Sequence, residues 1–296
     1  MTVSELKVTG DYDLNLTMYP SYVSSLFVKK GGKWVKVMGK FKGLSIWYEK
    51  DTVKYESEEG KVSEEVVKFI SGIWFDPVEY FRSLRGRTRE LLNPIVKSYR
   101  RLRLAVDPWD KELIFLAVAL SQRTDYHVNV LRWFSKLREL SKGDISKLKY
   151  VGRSYQIKRV YSLIKTGILE ELKLLKGLWS LRRELMKYKF LGPKTVNAYL
   201  LFTGITTSLA PVDVHFVRFI NKIGLFSKFT LPSKKYCTYY DCYSCPLGER
   251  CLVALALKEL GPLAGWLQTV AYVHDKLYCS KRACLTCNLS EICRLN

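Results

Sequence analysis

Two charged residues past the middle of the chain could do chemistry together. Lys194 follows Leu191-Gly192-Pro193, and Asp213 lies in Pro211-Val212-Asp213-Val214-His215-Phe216-Val217-Arg218, with an apolar helical stretch between them. The pattern sets each at the mouth of a helix, where both could face one pocket. An amine and a carboxylate so placed can attack a sugar carbon and stabilise the cation it passes through. Gly192 can take the positive φ of a tight interhelical turn, and Pro193 suits the first helical position. Free N–H groups at that helix N-terminus would seat a phosphate. A cation there is disfavoured by the helix dipole, so Lys194 is expected to lose its proton more easily, and burial would push the same way. Taken alone, Lys194 also reads as a surface lysine and Asp213 as the N-cap of the next helix. His215 reads as a packing or hydrogen-bonding residue rather than a base.

The elements that must hold this pair follow from periodicity. Residues 1–80 are rich in Tyr, Val, Trp and Thr; they alternate at Gly32–Met38 and Leu44–Glu49, with Gly31-Gly32 and Asp51 as turns, and predict a small antiparallel sheet. From about Ser63 the period is helical. Tyr80 to Arg103 reads as one strongly basic helical segment, either a solvated face or a surface that tracks phosphates. Residues 113–120 form a buried helix ending in the polar cluster Ser121-Gln122-Arg123-Thr124-Asp125. Helices are predicted at 128–140, 144–149, 154–165, 168–175, 178–187, 194–203 and 214–224, with another starting at Leu252. The expected division is a β-rich part at 1–80, a helical body at 81–228 and a cysteine-rich region at 229–296.

The chain has 296 residues, with 49 Lys and Arg against 28 Asp and Glu, a net charge of +21. That excess favours a polyanionic partner, through counterion release, or reflects solubility or heat adaptation. No apolar run reaches membrane-spanning length and Met1–Glu5 does not open like a signal peptide, so an intracellular, membrane-free location is expected. In that compartment grouped cysteines suggest metal rather than disulfides. All eight fall in two runs of one spacing, C-x4-C-x2-C-x5-C: Cys237, Cys242, Cys245, Cys251 and then Cys279, Cys284, Cys287, Cys293. Four thiolates so close suit a [4Fe–4S] cluster, and zinc would accept the same ligands. A metal clamp would fold the loop and let Lys234, Lys235 and Lys281 meet phosphates.

The hairpin, its lysine, the apolar helix and Val212-Asp213 together resemble the helix-hairpin-helix DNA glycosylases, which include endonuclease III and 8-oxoguanine DNA glycosylase. Pro211–His215 is most similar to the oxoguanine branch. Ser121–Asp125 looks like the segment that fills the hole left by an extruded base, and Gly152-x-x-Tyr155-x-x-Lys158 like the segment before the hairpin. The last quartet, after Ala271-Tyr272-Val273-His274, is similar to the iron–sulfur loop that ends endonuclease III, although its first gap is shorter. Phe190 stands where the first hairpin glycine belongs, and the quartet at 237–251 has no counterpart in endonuclease III. The N-terminal part, with Asp13-Leu14-Asn15-Leu16, is similar to the sheet domain of the oxoguanine and bacterial alkyladenine enzymes.

The resemblance implies a mainly α, helix-hairpin-helix glycosylase fold with a small N-terminal antiparallel β domain and Cys-rich cluster loops at the C-terminus. It implies a monomeric base-excision enzyme with AP lyase activity on duplex DNA carrying a damaged, oxidised base. Lys194 and Asp213 would be catalytic, and Gln122, Arg123, Leu191, Gly192 and Pro193 would contact DNA. A [4Fe–4S] cluster would sit on Cys279, Cys284, Cys287 and Cys293. A second cluster, or zinc, would sit on Cys237, Cys242, Cys245 and Cys251. The alternatives are a monofunctional glycosylase, or a non-catalytic DNA-binding or redox-sensing protein on the same scaffold. Tyr126, His127 and Trp133 are pocket candidates that read equally as core or surface.

Overall fold

The computed structural model describes residues 2–58, 60–175 and 177–294. Its N-terminal part is a five-stranded antiparallel sheet of β1 (Ser4–Lys7), β2 (Phe27–Lys30), β3 (Lys33–Lys36), β4 (Ser45–Glu49) and β5 (Thr52–Glu56), in the order β1-β5-β4-β3-β2. Gly31 and Gly32 both take positive φ, the type I′ geometry that matches strand twist in a two-residue hairpin. A short helix, α1 (Leu14–Met18), capped by Asp13, bridges β1 to the meander.

The sheet is fastened to the helical body through charge as well as apolar packing. Lys36 at the end of β3 is fully buried and reaches Asp107 at 2.6 Å and Asp110 at 2.7 Å, both at the mouth of α5 (Lys111–Leu120). Burial raises the Asp110 carboxyl above its ordinary value, with Lys36 opposing. One hydrophobic core then runs from Leu6 in the sheet to Leu289.

Before α5 come α2 (Glu64–Ser71), α3 (Pro77–Phe81) and α4 (Gly86–Tyr99). The single basic helix expected over Tyr80–Arg103 is therefore broken at 82–85. Its C-terminal arginines are also tied to other segments, Arg100 and Arg101 while staying exposed and Arg103 while buried. Arg100 pairs with Asp11 at 2.6 Å and Arg101 with Asp13 at 3.6 Å, while buried Arg103 binds the Thr9 and Ile73 carbonyls and faces Asp76. These three tie the helices to the N-terminal segment, and Arg82, Arg85, Arg87 and Arg89 are exposed.

Every residue of α5 from Leu113 to Leu120 is buried, so this helix is the axis of the body. The helix expected from Val128 begins instead as a π-helical turn at Tyr126–Val130, continuing as α6 (Leu131–Ser141). Asp125 accepts the Val128 N–H, and the Tyr126 hydroxyl is anchored on Ser24 and Ser25, which sets the wider turn. The segment near 144–149 is a 3-10 turn, Ile145–Tyr150. Then follow α7 (Tyr155–Ile164), α8 (Ile168–Leu174), α9 (Leu178–Lys187), α10 (Pro193–Phe202), α11 (Val214–Ile223), α12 (Lys234–Cys237), α13 (Leu252–Leu260) and α14 (Leu263–Leu277). Periodicity did not reveal α14, because every residue from Leu263 to Ala271 is buried and no polar face marks the period. It crosses the body so closely that a Cβ at Gly265 would lie 2.7 Å from the Thr207 carbonyl oxygen. Among the described residues, no helix is long and apolar enough to cross a membrane.

Candidate active site

The turn between α9 and α10 is closed by the Leu191 N–H on the Tyr188 carbonyl, and Pro193 opens α10. Gly192 is the N-cap with φ −122°, so the positive φ expected of it is not used. The compact 188–191 turn reverses the chain without a left-handed residue. A Cβ at Gly192 would meet nothing within 4 Å, which leaves the backbone open to an approaching group. Phe190, in place of the hairpin's first glycine, lies under the Arg159 guanidinium at 4.3 Å. Lys234 donates to the Tyr188 carbonyl and burial lowers its pKa, so this lysine is spent on the hairpin rather than presented to phosphate.

Lys194 and Asp213 line one cavity of about 290 Å³. Lys194 stands in the first turn of α10, with Nζ 3.4 Å from the Tyr22 hydroxyl. Asp213 caps α11: Oδ1 accepts the Phe216 N–H at 2.8 Å, and Oδ2 accepts Gln268 Nε2 from α14 at 3.1 Å. This geometry reverses one expectation. Burial pushes Lys194 toward the free amine, but Tyr22 and the Asp213 carboxylate outweigh it, and its pKa is raised. The dipole and burial are visible from local sequence, whereas Tyr22 arrives from 172 residues away.

Aromatic side chains form the walls. Tyr22 packs edge-on against Phe202 and Tyr126, each at 5.0 Å between ring centres, and Tyr272 lies edge-on to His215 at 5.1 Å. His215 Nδ1 is 2.8 Å from Asp275 Oδ2, which also accepts the Ser280 hydroxyl at 2.6 Å, so His215 serves as an orienting contact. Lys276 meets Asp125 at 3.2 Å on the rim. Of the three aromatic candidates only Tyr126 reaches the cavity; His127 stacks on Tyr19 at 4.3 Å and Trp133 is buried. Sequence reasoning missed Tyr22, Gln268 and Tyr272. Gln268-Thr269 did carry a signal, as a polar pair inside an otherwise apolar run; Tyr22 carried none.

The remaining DNA-contact candidates gather beside this site. A second cavity of about 290 Å³ is lined by Gln122, Leu191 and Gly192 together with Arg159 and Lys189, and Arg123 borders both cavities. Arg123 takes a left-handed φ of 54°, turning the chain sharply after α5. Gln122 donates to the Ala119 carbonyl at 3.1 Å. Pro193 lines neither cavity.

Each cysteine quartet is drawn into one loop region. Burial pushes the Cys242 thiol up to about 12, with Arg182 opposing and Cys251, Cys237 and Cys245 adding to the rise. Cys287 is likewise raised by burial, with Cys279, Cys293 and Cys284 adding. The thiols thus stand within one another's electrostatic reach. Nitrogen groups abut them: Arg182 Nη2 donates to Cys237 Sγ at 3.3 Å, and His274 Nε2 lies 3.6 Å from Cys287 Sγ. All eight cysteines are free. Yet among the described residues no three His, Cys, Asp or Glu side chains are gathered as a bound ion requires. The structure therefore shows two cysteine loops and not the closed clusters expected from their spacing.

A helical body behind an N-terminal five-stranded antiparallel sheet matches the helix-hairpin-helix DNA glycosylase fold. Among solved structures the chain is similar to the Clostridium acetobutylicum 8-oxoguanine glycosylase/lyase in complex with double-stranded DNA containing cytosine opposite 8-oxoG. That match has TM-score 0.64 and 16% identity over 94% of this chain and 98% of the other. The 3-methyladenine DNA-glycosylase from Archaeoglobus fulgidus matches with TM-score 0.62 and 15% identity, over 93% and 99%. No protein-family model and no curated protein matches the chain. At these identities the likeness is one of fold.

Proposed function

We propose that this protein is a base-excision DNA glycosylase with AP lyase activity, acting on duplex DNA that carries a damaged, oxidised base. The observation that carries the reading is the convergence of Lys194 and Asp213 on one aromatic-walled cavity. Arg123, Gln122 and the hairpin hold the strand, and the damaged nucleotide swings out of the stack into the cavity. Asp213, fixed by the Phe216 N–H and Gln268, stabilises positive charge at the sugar as the glycosidic bond breaks. The base leaves with the bonding pair and takes up a proton. Lys194 rests as an ammonium and must give up its proton before its lone pair bonds to C1′. Opening of the sugar ring yields a Schiff base, and loss of a C2′ proton then expels the 3′ phosphate and nicks the strand.

For the cysteines the reading is a [4Fe–4S] cluster on Cys279, Cys284, Cys287 and Cys293, and a second cluster or zinc on Cys237, Cys242, Cys245 and Cys251. The mutual reach of the thiols and the nitrogen groups set against them support it. Such a group, when bound, supplies a rigid staple for a loop with little core of its own and, if iron-based, an electron-transfer centre.

Borohydride trapping tests the lyase step on duplexes carrying oxidised purines, oxidised pyrimidines, uracil or alkylated bases. A covalent adduct with the wild type that Lys194→Ala abolishes is expected; no adduct, or an undiminished one in Lys194→Ala, overturns the lyase assignment. The raised pKa of Lys194 favours one second reading, a monofunctional glycosylase in which the ammonium positions substrate while Asp213 activates water. That enzyme would release base without a trapped adduct.

A further inference from the structure

Among the described residues three lysine or arginine side chains are buried: Lys36, Arg103 and Arg182. Lys36 has Asp107 and Asp110, and Arg103 has Asp76. Arg182, on α9, is 0% exposed and has no carboxylate among the described residues. Its Nε donates to Asn197 Oδ1 at 3.0 Å and its Nη2 to Cys237 Sγ at 3.3 Å, while Nη1 has no partner. The guanidinium lies 5.7 Å from the face of Trp179, which offers only a weak counter-field. A guanidinium cannot shed its proton to escape burial, so an anion must stand beside it. The groups that can supply one are the sulfurs of the first quartet. Neutral thiols carry no charge. Four thiolates around a divalent ion, or around a [4Fe–4S] core, leave a net negative charge where the guanidinium points.

We propose that Cys237, Cys242, Cys245 and Cys251, which are not gathered in this structure, close around a metal ion or cluster into a tetrathiolate centre that is the counter-ion of Arg182, and that Arg182 fixes the helix of Lys194 to that centre through Asn197. Asn197 is on α10, three residues after Lys194, and its Nδ2 donates to the Ala210 carbonyl at 3.1 Å, at the start of the segment that ends in Asp213. The run Cys237–Arg182–Asn197–Ala210 therefore touches both the lysine helix and the aspartate loop. Lys234, three residues before Cys237, pins the same loop to the hairpin at Tyr188. Arg182 is a positioning residue in this scheme. The metal assignment stands apart from the glycosylase reading, whereas the positioning of Lys194 and Asp213 rests on it.

The full chain, purified anaerobically, is assayed for iron, zinc and acid-labile sulfide in the wild type, Cys242→Ser/Cys245→Ser, Arg182→Met, Arg182→Lys and Asn197→Ser. The double cysteine variant is expected to lose about four irons with four sulfides, or about one zinc, which identifies the metal. Arg182→Met is expected to hold that metal about 10–100-fold more weakly against a chelator, with Arg182→Lys restoring part of the loss. If the centre is iron, removing the cation also lowers its reduction potential. Asn197→Ser keeps the metal but lowers kcat for excision more than it raises KM. Equal metal content in the wild type and the double cysteine variant overturns the proposal. So does unchanged chelator release in Arg182→Met. If Arg182→Met does not fold, Arg182→Lys with wild-type release overturns it. Metal counts and release rates decide the centre even where no glycosylase activity is found.

Discussion

Replacing Asp213 with asparagine separates the two roles this carboxylate plays. As an N-cap, Asp213 accepts the Phe216 N–H through Oδ1, and asparagine keeps that acceptor. The two residues cap helices equally well, so stability should change by less than about 1 kcal/mol. At Oδ2, turning the Gln268 amide over presents its carbonyl to the new Nδ2 and preserves the contact now made at 3.1 Å. What disappears is the charge. A preorganised charge-stabilising contact of this kind contributes about 2.7–4 kcal/mol to the barrier, so base excision should fall about 10²–10³-fold. Schiff-base chemistry should respond in the opposite sense. The carboxylate holds Lys194 in its ammonium form, and removing it lowers the lysine pKa. At any fixed pH more amine is then free, and the rising limb of borohydride trapping on a preformed abasic site should move to lower pH. The assay pairs single-turnover excision on a damaged duplex with trapping on the abasic duplex across pH. Excision at the wild-type rate, or a trapping limb that stays put or moves to higher pH, refutes the reasoning.

Tyr22→Phe keeps the edge-on packing but removes the hydroxyl that also raises the Lys194 pKa, so trapping should again shift to lower pH, at a stability cost of about 0.5–1.5 kcal/mol; an unmoved profile would show that the 3.4 Å contact does not operate in solution. Gly192→Ala meets no atom and sits at φ −122°, but alanine caps α10 less well than glycine, which offsets the entropic gain, so thermal melts should change by less than about 1 kcal/mol. Its DNA affinity should drop, because a methyl group then stands over the hairpin backbone; unchanged affinity would remove the hairpin from the binding surface. Lys36→Met leaves Asp107 and Asp110 buried without their cation and should cost about 3–5 kcal/mol in urea denaturation. Adding Asp107→Asn and Asp110→Asn should recover part of that loss, and a single-variant cost below about 1 kcal/mol would contradict the burial of the triad.

The N-terminal sheet region takes a direct part in the site. Tyr22 follows α1 and reaches the lysine, while Ser24 and Ser25 hold the Tyr126 hydroxyl that shapes the π-helical turn behind Arg123. The buried Lys36 triad and the Arg100, Arg101 and Arg103 contacts fix this part against the helices. Part of the positive charge therefore serves internal assembly, while the arginines of 82–89 are exposed.

Helix starts and the lysine–aspartate pair were legible in the chain because they are local. Gly-Pro before Lys194 and Val-Asp before His215 set two helix N-termini, and about twenty residues between them allow one helix and a return. The strands were legible too, through two-residue alternation and the Gly31-Gly32 turn. Helix α14 was not, since full burial erases the periodic signal, and with it went Gln268 and Tyr272. Sequence by itself thus picked out two charged groups that line one cavity and the elements on which they stand. Only the tertiary structure decided the direction in which the Lys194 pKa moves, the partner of Asp213 and the isolation of Arg182. Charge states and hydrogen bonds in a buried site depend on through-space neighbours in a weakly screening medium, and sequence separation does not encode that distance.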